Sequence, residues 1–217
     1  LNDLTTGSSN TAMGSTAGAK ITTGDSNVAL GADSLKNNTT ANSNTAVGAS
    51  ALTANTTGTN NVAVGKSALA ANTTANGNIA VGANVLDANT TGASNIGIGH
   101  EALGANTTGG ENVAIGYGAL DANIGTSNNT AVGYLALSAA TAANNTAVGK
   151  SALAANTTGA SNVAVGATAL DSNTTGADNV GVGLSSLGLN TTGGQNTAVG
   201  ENALGSNTTA SNNTAVG

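Results

Sequence analysis

Few side chains in this sequence are equipped for chemistry. One histidine, His100, stands beside Glu101, and ten carboxylates are spread over 217 residues with four lysines. Catalysis needs convergent groups of different types, and a lone His-Glu dipeptide supplies neither a nucleophile nor an orienting partner. The acids never recur as a pair, so acid-base hydrolysis by two carboxylates has no constellation. The absence of cysteine removes thiolate catalysis, thiolate metal sites and disulfides. Gly97-Ile98-Gly99 and Gly181-Val182-Gly183 contain a Gly-x-Gly spacing. They sit in a strand-like pattern and open no helix, so they do not form a phosphate loop. No Gly-Gly-x-Gly-x-Asp run occurs, and the acids are too sparse for a calcium array. The sequence therefore predicts no enzyme, no cofactor and no metal site.

What remains is a repeat. A glycine preceded by an aliphatic residue or Met recurs at Gly14, Gly31, Gly48, Gly65, Gly82, Gly99, Gly116, Gly133, Gly149, Gly166, Gly183, Gly200 and Gly217. Eleven of the twelve intervals are 17 residues, and the step from Gly133 to Gly149 is 16, the missing residue lying around Ala142 and Ala143. The whole chain, 1–217, reads as a single repeat rod: a partial copy over 1–14 and then twelve coils, with Leu four residues after the anchor Gly in 11 of 12 copies and Leu1 in that same Leu column. Its beginning at Leu1 reads as a fragment of something longer.

Seventeen residues are too few for a helix pair and are not a heptad multiple. The 32 glycines also disfavour helix. The period suits one coil of a parallel β-solenoid, with two or three short strands per coil, each stacked on its counterpart about 4.8 Å away. With no Phe or Trp and two Tyr, the chain lacks the apolar bulk of a conventional globule. A net charge of −6 without arginine argues against nucleic acid. No apolar run is long enough to insert into a membrane.

The columns of the repeat carry separate meanings. Four residues before each anchor Gly stands Asn10, Asn27, Asn44, Asn61, Asn78, Asn95, Asn112, Asn129, Asn145, Asn162, Asn179, Asn196 or Asn213. Asn tolerates turn geometry and can hydrogen-bond to the same amide in the next coil, so the column predicts a structural ladder. A second column, Asn55, Asn72, Asn89, Asn106, Asn156, Asn173, Asn190 and Asn207, creates Asn-Thr-Thr glycosylation sequons. Glycans on so many adjacent coils would crowd one another, and a second ladder is the stronger expectation. The anchor Gly is expected at a corner with positive φ. Charged residues fall only in the variable corner columns, which are expected to face water.

Between the Asn and the Gly, one column is Thr, Val or Ile, the next is Ala in 11 copies and Gly in 2, and the third is aliphatic or Met. Alternation puts the outer two on one face. The expectation is that they fill the coil interior and that the Ala column points outward. It never carries a long side chain, so Ala46, Ala63, Ala80, Ala114, Ala131, Ala147, Ala164 and Ala198 are expected to pack against a neighbouring chain.

Segments such as Asn61-Val62-Ala63-Val64-Gly65, Asn112-Val113-Ala114-Ile115-Gly116 and Asn196-Thr197-Ala198-Val199-Gly200 resemble the head repeats of YadA-type trimeric autotransporter adhesins. The unit also resembles repeat shafts of phage tail fibres and bacterial surface proteins. The resemblance implies left-handed coils in a side-by-side homotrimer. The function expected is a structural and adhesive fibre segment, extracellular on a cell surface or virion, displaying corner residues to an unidentified surface receptor or glycan. Two alternatives remain open at this point. One is an ice-binding solenoid, which low charge and stacked Thr columns fit. The other is a self-assembling extracellular filament subunit.

Overall fold

A computed structural model describes residues 3–217. Leu1 lies outside the described residues. The chain is an all-β parallel solenoid, and its strands fall in two compact units, one reaching Glu111 and one spanning Asn112–Gly217. In the first unit β1 (Thr11–Met13), β2 (Val28–Leu30), β3 (Thr45–Val47), β4 (Val62–Val64), β5 (Ile79–Val81) and β6 (Ile96–Ile98) pair in chain order. In the second, β7 (Val113–Ile115), β8 (Thr130–Val132), β9 (Thr146–Val148), β10 (Val163–Val165), β11 (Val180–Val182), β12 (Thr197–Val199) and β13 (Thr214–Val216) do the same. Every strand lies opposite its own repeat equivalent, as in Ala46 against Ala63. Register cannot slip without moving Asn and Leu out of the interior, which fixes it.

Each coil contains one strand of three residues, fewer than the two or three expected. The remaining sides are chains of turns whose backbone bonds run to the next coil. Leu35 N donates to Ala51 O at 3.0 Å and Thr39 N to Thr56 O at 3.2 Å. The turns need unusual backbone. The anchor glycines have φ between 118° (Gly99) and 139° (Gly133), as expected. A Cβ on Gly48 would stand 2.5 Å from Gly65 O, so the close stacking excludes any side chain as firmly as the dihedral does.

The Leu column was not expected to share this geometry, yet Leu35, Leu52, Leu103 and their equivalents have φ of 46–55°. The left-handed conformation costs a non-glycine residue about 1–2 kcal/mol. Leu35 and Leu52 are fully buried, and burying a Leu side chain returns about 1.5–3 kcal/mol. Burial wins, and the strained turn aims the leucines into the core.

The structure inverts the expected faces of the strand. Ala46, Ala63, Ala80, Ala114, Ala131, Ala147, Ala164 and Ala198 are all 0 % exposed within a single chain. They point into their own coil and form no surface for a partner. The Thr/Val/Ile and Val/Ile columns face outward instead. The reason is the width of the interior, which is already occupied by the Leu column and two Asn columns. The Ala column meets the residue three after each anchor Gly, itself Ala in most coils. Its two glycines show how close that approach is. A Cβ on Gly97 would lie 2.5 Å from Val85 Cγ1, and one on Gly181 would lie 3.0 Å from Ser186 Oγ. Val85 replaces Ala in the facing column opposite Gly97, where the strand lacks its methyl, whereas the smaller Ser34 is accommodated beside Ala29.

Candidate functional site

Three surfaces follow from this arrangement: the outward strand face, the corner columns and the buried amide ladders. The ladders are structural. Asn61 N and Asn61 Nδ2 both donate to Asn44 Oδ1, at 3.0 and 3.2 Å. Asn61 Oδ1 in turn accepts from Asn78 N at 2.9 Å. The second column stacks likewise, Asn72 Nδ2 donating to Asn55 Oδ1 at 3.0 Å. The two ladders share an acceptor. Asn44 Nδ2 and Asn55 Nδ2 both reach Gly58 O, at 2.8 and 2.9 Å. Each regular coil is thus cross-braced by two amides on one carbonyl. The sequon asparagines Asn55, Asn72, Asn89, Asn106, Asn156, Asn173 and Asn190 are 0 % exposed, so they carry ladder bonds and offer no nitrogen to a glycosylating enzyme; Asn207, in the last coil, is half-buried but makes the same ladder bond to Asn190 Oδ1 at 2.9 Å.

The strand face is broad and uncharged. Its two outward positions on thirteen strands hold 26 residues, all Thr, Val, Ile, Leu or Met. Val81, Ile98, Val165 and Val199 keep 36 %, 38 %, 37 % and 39 % of their surface exposed. Chance exposure of single apolar residues is ordinary, but a repeated stripe on successive strands is not. The sequence pattern carried a signal for this face: its two columns interchange Thr, Val, Ile, Leu and Met freely, whereas a close-packed interior holds one size.

The corner columns hold the polar chemistry. His100 Nδ1 lies 3.5 Å from Glu101 Oε2, and both side chains are exposed. Asp25 caps a corner, its Oδ1 accepting from Ser8 N at 2.6 Å and Ser8 Oγ at 2.9 Å. Those bonds hold its carboxyl below the usual range. Asp33 is held low by the Thr16 hydroxyl and then by Lys36. Burial pushes Asp87 and Asp171 upward. Tyr117 and Tyr134 occupy one column in successive coils and stack with ring centroids 5.5 Å apart at 15°. The Asn-Thr-Thr corner separates its two threonines. Thr39 Oγ1 donates to Thr56 O at 3.3 Å, while Thr40 stands exposed. Among the described residues no group of three or more His, Asp or Glu stands where it would hold a metal ion, and no helix is long and apolar enough to cross a membrane. No protein-family model, no curated protein and no solved structure matches this chain.

Proposed function

We propose that the chain is a structural segment of an extracellular fibre, whose copies associate side by side through the outward strand face. The observation that supports this is the uncharged stripe of Val, Ile and Thr on successive strands, combined with charges confined to the corners. A single chain leaves that stripe wet, and a closed set of identical chains covers every copy of it. A homotrimer is the arrangement that the resemblance to adhesin head repeats implies. The fibre's work is reach and multivalent display of its corner residues to a surface receptor.

Sedimentation of the wild type tests this. The expected result is a trimer at micromolar concentration, reduced to monomer by Val64→Lys with Val165→Lys while the β-sheet circular dichroism is kept. A wild-type monomer overturns the reading. A monomer that also shows thermal hysteresis favours an ice-binding face, since the same stripe is uncharged and rich in small β-branched residues at strand spacing.

A further inference from the structure

One corner of the second unit opens into a groove of about 430 Å³, lined by Asp171, Ser172, Ser185, Leu189, Asn202 and Ser206 with Gly188 and Gly205. The volume falls within the range of small-molecule sites. Its origin lies in one column of the repeat. Five residues after the anchor Gly, other coils carry side chains such as Lys36, Thr53, Asp87 or Asp121, or at Gly104 a single isolated glycine, but the two coils after Asp171 carry Gly188 and Gly205 in succession. Neither glycine has positive φ, so the turn itself does not require one there. Two missing side chains in succession clear about two strand spacings, roughly 10 Å, along the corner. The carboxylate of Asp171 stands at one end of this clearing.

We propose that the groove binds a neutral saccharide of about two pyranose rings, with Asp171 and Asn202 taking the ring hydroxyls and Leu189 packing against the apolar ring face. The proposal deepens the fibre reading by giving its corner display a ligand class. An ionised carboxylate only accepts hydrogen bonds, so Asp171 selects a ligand rich in hydroxyl donors. Within the chain its Oδ1 accepts a long bond of 3.5 Å from Ser172 Oγ, and the backbone N–H groups of Asp171 and Ser172 also reach the carboxylate, leaving further acceptor positions on its two oxygens. Asn202 offers both donor and acceptor. Leu189 is 55 % exposed, and so provides an apolar patch in an otherwise polar groove. No Lys, Arg or His lines the groove and the chain carries −6, so an acidic sugar is repelled. No aromatic ring lines it, so a nucleobase has nothing to stack on. Burial raises the Asp171 carboxyl, consistent with a partly dry groove.

The test is titration of the full chain with maltose, cellobiose and lactose, followed by amide chemical shifts, with sedimentation run on the same samples. At least one sugar should shift the Gly188, Asn202 and Gly205 amides saturably. Gly188→Lys, which places in the groove a side chain that this column accepts at Lys36, should abolish the shifts. Asp171→Asn should weaken binding about tenfold, the value of a lost charged hydrogen bond. Leu189→Ser, at an exposed position, is a second probe that leaves the fold intact. Absence of saturable shifts with all three sugars, or binding that all three variants leave unchanged, overturns the proposal. Because sedimentation reports assembly separately, a sugar-binding monomer would sink the fibre reading alone, and a trimer that ignores sugars would sink this one alone.

Discussion

The regular coils between Asn44 and Asn95 and the irregular coils between Asn112 and Asn145 are built on the same columns but braced differently. In the regular coils both amide ladders run unbroken, and each pair converges on one carbonyl, as Asn61 and Asn72 do on Ala75 O at 2.8 and 3.2 Å. In the second region the shared acceptor belongs to Thr126, reached at 2.9 and 3.1 Å by Asn112 and Asn123. One coil later the second ladder loses its amide to Ala140, and one corner residue is missing. There Asn145 Nδ2 reaches Ala142 O and Ala143 O only at 3.4 and 3.3 Å. The strands do not register the loss: Thr130 still opposes Thr146, and Asn145 N still donates to Asn129 Oδ1 at 3.0 Å. The first ladder and the strand thus specify the coil, and the second ladder tightens a corner that tolerates deletion.

The largest effect that breaks this comparison is Asn61→Ala. It removes the amide that braces Ala75 O and the acceptor for Asn78 N, leaving a buried N–H with no partner. The cost should be roughly 2–4 kcal/mol, about 1–3 for the orphaned N–H and about 1 for the lost bond to Ala75 O, which Asn72 still holds. Asn123→Ala, in the second ladder, removes a brace on Thr126 O and the acceptor of the Thr126 hydroxyl at a more open corner, and should cost less. Urea unfolding of both variants measures the gap, and equal losses would mean that the two ladders bear equal weight.

A smaller effect reports on the interior packing that sets the strand's faces. Gly97→Ala drives a methyl into Val85 and should cost about 1–3 kcal/mol, as overpacking does. Adding Val85→Ala recreates the usual Ala-Ala pair and should recover most of that loss. A double-mutant cycle gives the coupling directly, and additive losses would show that the two residues do not meet.

That pair also marks where the sequence was silent. The period, the corner charges, the Asn ladder and the anchor glycines at positive φ were legible because each depends on a residue type suited to one geometry. The phase of the strand was not. Three residues alternate equally well either way, and a column of pure Ala fits a crowded interior as well as a crowded interface. The deciding information was a compensation within the repeat: the one coil that carries Val85 in place of Ala faces Gly97, also in place of Ala. The left-handed leucines were illegible for another reason. Propensity argues against Leu at positive φ, and only its complete burial overrides the preference. The groove beside Asp171 was hidden because it consists of side chains that are missing.

Repairing the irregular coil is a gentler probe. Ala140→Asn with a Thr inserted after Thr141 restores the second ladder and the 17-residue corner. The gain should be about 1 kcal/mol, the net value of one added hydrogen bond. A rise in the urea midpoint with unchanged slope is the expected outcome. A loss would show that the short corner is the better-packed one.

The smallest effect is that of pH, because the carboxylates lie at corners in both regions. Asp25 and Asp33 have carboxyls lowered by their hydrogen bonds, so they contribute stability above the unfolded value near 4 that is lost as pH falls through their folded values. Asp87 and Asp171 are raised by burial, with the opposite sign: their charged forms are disfavoured at neutral pH, and stability returns as pH falls through their raised values. The urea midpoint should therefore rise slightly on acidification towards pH 4 and fall slightly below it. Asp171→Asn should remove part of the rise, and Asp25→Asn part of the fall. Both ladders consist of amides, which do not titrate, so neither region should unfold cooperatively in this range. A steep acid transition between pH 4 and 5 would mean that charge, and not the amide ladders, holds the coils together.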